Sequence, residues 1–150
     1  MKAMTPPEGH FLGFAAHGSF GTDVAEIAEV SVENNRIKVH KVTCVVDCGT
    51  AVTPDVIKAQ MEGGVMFGLT AALYGELDLE NGEIVQSNFH DYPILRMDEA
   101  PEVDVVIIDS EDDPTGVGEP GLPPIAPAVA NAVYAATGQR LRSLPLKLGS

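Results

Sequence analysis

Val24-Ala25-Glu26-Ile27-Ala28-Glu29-Val30-Ser31-Val32-Glu33-Asn34-Asn35-Arg36-Ile37-Lys38-Val39-His40 is the stretch whose reading decides the fold. Val30 and Val32 alternate with Ser31 and Glu33; Ile37 and Val39 alternate with Lys38 and His40. Alternation with a period of two marks half-buried strands. Between the runs stands Asn34-Asn35, and asparagine tolerates the left-handed backbone that a tight hairpin demands. The second strand is expected to continue to Cys48. Its end, Val42-Thr43-Cys44-Val45-Val46, reads as apolar on both faces, which predicts deep burial of that half.

Upstream, residues 11–20 are apolar with Gly13 and Gly18 interspersed, which suits a strand in close backbone contact with a neighbour. Downstream, Gly49 ends the long strand. Thr53-Pro54-Asp55 is a helix start, with Thr53 as N-cap, Pro54 in the first turn and Asp55 at the favourable end of the helix dipole. That helix should run to about Tyr74. It carries Gly63, Gly64 and Gly68, each costing roughly 1 kcal/mol relative to alanine. A helix that accepts them has something packed tightly on it, either protein or a cofactor lying across it.

Asn81-Gly82 predicts a hairpin between residues 76–79 and 83–88. Residues 89–93 read as irregular, and residues 103–108 as a short buried strand. Residues 124–137 are helical and apolar nearly all round, with Gly138 as C-cap. Such a helix is buried in a larger body or leaves residues 125–136 as an exposed apolar patch. Hairpins mixed with two long helices make an α+β fold, a hairpin-rich mixed sheet packed with two helices. The expected division is an arm and first strand over 1–17, one domain over 18–146, and a tail over 147–150.

Composition narrows the function classes. The chain has 150 residues, 45% of them apolar, enough for one packed core. The formal net charge is −13 and lysine and arginine form no cluster, which argues against nucleic acid and an anionic membrane as partners. The longest apolar run, residues 65–73, falls short of the ~20 residues a bilayer span needs. The first residues lack the apolar centre of a secretory leader, and the reading is a soluble protein. The two cysteines, Cys44 and Cys48, fall short of the four ligands an iron–sulfur cluster takes; they read as small buried hydrophobes.

Gly116-Val117-Gly118-Glu119-Pro120-Gly121 holds one carboxylate on a glycine-flanked loop just before the apolar helix. Such a loop is either a surface turn or a mount for a base facing a bulky ligand. With Gln60-Met61-Glu62-Gly63-Gly64, Asn88-Phe89-His90-Asp91-Tyr92-Pro93, Ala126-Pro127-Ala128 and Asn131-Ala132, it closely resembles the C-terminal part of molybdenum hydroxylase large subunits, the xanthine dehydrogenase/aldehyde oxidase family. The nearest branch in resemblance is the bacterial isoquinoline 1-oxidoreductase β subunits and membrane-bound aldehyde dehydrogenase large subunits.

The resemblance implies a molybdenum–molybdopterin cofactor, in this branch the cytosine dinucleotide. It implies hydroxylation of an N-heterocycle or an aldehyde with oxygen from water. Glu119 matches the family's general base, set in a dry pocket, where a carboxylate becomes a stronger base. Gln60 matches a glutamine on the pterin, Gly118 lets the loop approach the metal, and Gly63 and Gly64 bring the helix to the cofactor. No protein ligand to the metal is implied. Family subunits are several times longer, so the expected partners are the remainder of the molybdopterin subunit and a separate iron–sulfur subunit. The expected setting is the bacterial cytoplasm or periplasm, and the sequence does not choose between them. The competing reading is an assembly module that keeps the fold without cofactor.

Overall fold

The structure is a computed structural model that describes residues 5–149. Met1 to Met4 of the expected arm and Ser150 of the expected tail lie outside the described residues. The core is a four-stranded sheet in the order β1-β2-β3-β6, with β1 Phe11–Ser19, β2 Thr22–Glu33, β3 Arg36–Asp47 and β6 Glu102–Ile107. β1, β2 and β3 are antiparallel neighbours, and β6 joins β3 in parallel, so the sheet is mixed as expected. Helices α1 Pro54–Leu73 and α2 Ile125–Thr137 carry the rest of the core.

The deciding hairpin forms as read. Asn34 and Asn35 take φ of 51° and 60°, and Val32 pairs with Ile37 across the turn. The sheet's inner face presents Val24, Ala28, Val30, Val42, Cys44 and Val46, all buried. Its outer face carries no helix. Thr43 and Val45 are therefore half-buried, which corrects the expectation of an end buried on both faces. The same openness corrects the strand expected over 103–108. It is one of the sheet's two edge strands, and exposed residues alternate with half-buried ones along it.

Helix α2 lies on β1 with almost no gap. A Cβ on Gly13 would come within 2.0 Å of the Ala128 carbonyl and 2.2 Å of the Ala132 nitrogen. Asn131 Nδ2 donates to the Phe14 carbonyl at 2.9 Å and anchors the same contact. Ile125, Ala128, Val129, Ala132 and Val133 are buried. The apolar patch expected over 125–136 is thus covered within the chain by the sheet.

Other boundaries shift. β1 runs through the expected 17/18 division, and Leu148, in the expected tail, packs against the core. The Asn81-Gly82 hairpin has only two residues in each strand, β4 Leu79–Glu80 and β5 Glu83–Ile84. All four are exposed, so no apolar face pays for a longer ladder. Thr53 stands at the N-cap of α1, but its side chain makes no capping bond.

Candidate active-site edge along α1

The loop that carries Glu119 is fastened at both ends. Thr22, buried at the start of β2, bonds through its hydroxyl to the Thr115 hydroxyl and to the Gly116 carbonyl, each at 2.7 Å. Gly116 N donates to the Phe20 carbonyl at 3.2 Å, and Thr115 N to the Cys48 carbonyl at 3.0 Å. Beyond Glu119 the chain turns back, with Leu122 N donating to the Glu119 carbonyl at 2.9 Å. Pro120 and Gly121 are buried beneath this turn.

The loop then lies along α1. A Cβ on Gly118 would sit 3.7 Å from Gln60 Nε2. One on Gly121 would be 3.2 Å from the Met61 backbone, and one on Gly64 3.1 Å from the Gly121 carbonyl carbon. One on Gly68 would collide with Ile125 Cγ2 at 2.4 Å. Two of the three helix glycines therefore serve protein packing: Gly64 seats the loop and Gly68 seats the start of α2. Gly63 differs, because space around it is open.

The structure thus brings Gln60, Gly64, Gly118 and Glu119 to one edge, with Gly63 on the neighbouring turn of α1. The side chains of Gln60 and Glu119 are exposed, and the edge continues along α1 through Val56 and Phe67, 54% and 70% exposed. The dry pocket expected around Glu119 is not formed by these residues. The arrangement is one wall: an amide able to donate and accept, a carboxylate, and a helix surface without a Cβ at Gly63. These features fit the side of a planar, hydrogen-bonding cofactor. Among the described residues no three histidine, cysteine or acidic side chains gather as a metal-ligand set.

The 88–93 motif is not brought to this edge. Asp91 accepts from the Ser87 and Asn88 amides at 2.9 Å, and these bonds pull its carboxyl down to about 2. His90 lies 3.6 Å from Asp91 with its side chain largely exposed, and the loop is ordered by the bonds of Asp91 to the loop's own amides. The following segment docks on the C-terminal half of α1, where Leu95 N donates to Thr70 Oγ1 at 3.3 Å. Arg140 spreads over the Tyr134 ring at 3.5 Å and bonds to Asn131. Asp47 caps the turn after β3 through the Gly49 amide at 3.3 Å. Both cysteines are buried and free.

Two features escaped the sequence reading. Phe20 holds a left-handed φ of 56°, unusual for a bulky side chain, and stands exposed beside Gly116 at the loop's root. Glu26 is completely buried, and neither carboxyl oxygen has a hydrogen-bond partner. Its signal was available: Glu26 shares strand parity with Val24, Ala28 and Val30.

Residues 6–101 match the molybdopterin cofactor-binding domain family. The chain is 42% identical over 141 residues to isoquinoline 1-oxidoreductase subunit beta of Brevundimonas diminuta, covering 93% of this chain and 18% of that protein. It is 38% identical over 123 residues to the membrane-bound aldehyde dehydrogenase [pyrroloquinoline-quinone] of Gluconacetobacter polyoxogenes, covering 81% of this chain and 16% of that protein. Quinoline 2-oxidoreductase from Pseudomonas putida shares the fold, with a TM-score of 0.75 at 21% identity over 83% of this chain and 17% of its own. The chain thus spans less than a fifth of the length of the proteins it resembles.

Proposed function

Because this chain belongs to the molybdopterin cofactor-binding domain family, we propose that it is the C-terminal part of a molybdenum hydroxylase large subunit and supplies the catalytic base. The observation that carries the reading is the shared edge, where Gly118 brings the Glu119 loop against Gln60. Gln60 would hydrogen-bond the pterin end of the cofactor, and open Gly63 would let the helix backbone approach it. Gly64 acts indirectly, by seating the loop through Gly121. The form proposed is the cytosine dinucleotide of the bacterial branch. The name of the Gluconacetobacter relative carries a quinone; the proposal follows the molybdopterin family match.

The bound molybdenum cofactor supplies the two-electron oxidation. The work of this chain is to orient it and to move a proton. A Glu119 oxygen would accept the proton of the water-derived nucleophile as it attacks an electron-poor carbon, in an N-heterocycle or an aldehyde, and the hydride lost from that carbon would pass to the cofactor as the two-electron oxidant. The names of the two relatives support these substrate classes. The electrons would leave through iron–sulfur clusters on a separate subunit.

Water exclusion around Glu119 comes from the rest of the large subunit. Two bare surfaces support such a partner. One is the α1 edge. The other is the sheet's outer face, where Phe14 is 58% exposed and a hollow of about 380 Å³ is lined by Ala16, Gly18, Ala25, Val45 and Ile108 together with His17, Asp23 and Asp47. Exposed apolar side chains set among polar ones suit an interface. Metal analysis tests the reading. The assembled large subunit carries about one molybdenum and the 150-residue chain alone carries none, since half a cavity loses most of its binding energy. An assembled subunit purified without molybdenum contradicts it.

A further inference from the structure

Glu26 lies mid-way along β2 on the inner face of the sheet, between Ala15 of β1 and Cys44 of β3 in the cross-strand register. It marks a seam. On one side Val24, Cys44, Ile57 and Met61 form a buried cluster to which Val117 is added. On the other, Ala28 joins the cluster made with Val65 of α1 and Ala128 and Val129 of α2. The groups around the seam are apolar from α1, α2, the 117 position and β6, where Val105 stands opposite Cys44. Among the described residues the one titratable neighbour is the Cys44 thiol. The seam also underlies the active-site edge, because Met61 supports Gly121 and Val117 leads to Glu119.

We infer that Glu26 is a pH-operated latch: neutral, it belongs to the core beneath the Glu119 loop, and ionised, it draws water into the seam and loosens α1 and that loop from the sheet. A buried carboxyl with no donor better than a nearby thiol is tolerated when uncharged and is costly as an anion. Burial pushes Glu26 up to about 8, with the thiol only partly offsetting it. Cys44 is pushed up to about 12 by burial and by the Glu26 charge, so it stays a neutral thiol and adds no charge beside Glu26.

The sign follows from proton binding. The folded state holds the Glu26 proton more tightly than the unfolded chain, where the group has its ordinary value of 4.5. The stabilisation is therefore fully present below that value and is lost as pH rises to about 8. Urea unfolding of the 150-residue chain from pH 5 to 9, beside Glu26→Gln and Glu26→Met, is the test. The unfolding constant of the parent should climb relative to both variants, roughly tenfold per pH unit, and level off near the upper value. Amide exchange at Met61 and Val117–Leu122 should accelerate over the same range in the parent only, once corrected for intrinsic rates.

Parallel curves for parent and variants would overturn the latch. So would an unchanged exchange pattern at the loop while global stability falls. If neither variant folds, infrared spectra of the parent decide, because a protonated carboxyl is rare among the 22 acidic residues at neutral pH. A carboxylic-acid band present at pH 7 and lost near pH 8 supports the inference. Its absence at pH 7 overturns it. None of these readouts requires cofactor, so the outcome is separable from the proposed function.

Discussion

Helix α2 and helix α1 are both apolar, and they are finished differently. Helix α2 comes down on β1 so closely that Gly13 has room for hydrogen only. Its large apolar side chains are spent inside the chain, apart from Tyr134, which lies under Arg140. Helix α1 buries Ile57, Met61, Val65 and Leu69 but leaves Val56, Gln60, Gly63 and Phe67 in solvent. One helix is a structural member, and the other is a structural member on one side and an unfinished surface on the other. The lesson is that apolarity alone does not tell which face awaits a partner. The close approach of a backbone does, and glycine is its marker.

Substitutions at the glycines break or sharpen this contrast. The largest effect belongs to Gly13→Val, whose Cβ has no space under α2. It should destabilise the chain by more than about 3 kcal/mol, read as a collapse of the urea midpoint. A midpoint within error of the parent would mean that α2 is not seated as described. Next comes Gly64→Ala. Its methyl meets the Gly121 and Leu122 backbone at 3.1–3.3 Å, tight but not impossible. A loss of about 1–2 kcal/mol is expected, with shifted amide resonances at Gly118–Leu122.

Gly63→Ala, one residue away, should go the other way. With open space around it, helix propensity alone acts, giving up to about 1 kcal/mol of stabilisation in the isolated chain. In the assembled subunit the same methyl should lower molybdenum content. Equal effects of the two alanines on stability would erase the distinction between a packed glycine and an open one. The smallest effect belongs to Phe67→Ser. At 70% exposure it should change the stability of the isolated chain by less than about 0.5 kcal/mol while reducing the binding of an apolar dye.

Much of this was legible in the sequence, for identifiable reasons. The β2–β3 hairpin was, because alternation and Asn34-Asn35 are local signals. The extents of α1 and α2 were as well, from Pro54 and Gly138. The outer face of the sheet was not, because Thr43 and Val45 look the same whether or not another layer covers them. The candidate site residues were read from separated motifs, and the structure brings Gln60, Gly118 and Glu119 to one edge, where their roles are proposed. The exposure of Gln60 and Glu119 was not legible, since a glycine-flanked acid reads the same in a pocket as on an open edge. Glu26 was missed because a glutamate in a strand reads as outward-facing, and only the parity of its neighbours says otherwise.

The account turns on Glu119, and reductive half-reaction kinetics of Glu119→Gln in the assembled enzyme, at matched molybdenum content, test it most directly. Glutamine preserves the shape of the side chain, so loop and cofactor loading should survive, but an amide does not take the proton. The rate of cofactor reduction by substrate should fall about 10²–10⁴-fold with the cofactor's optical spectrum unchanged. Reduction at close to the parent rate would remove Glu119 from the chemistry and leave its loop a structural turn on α1.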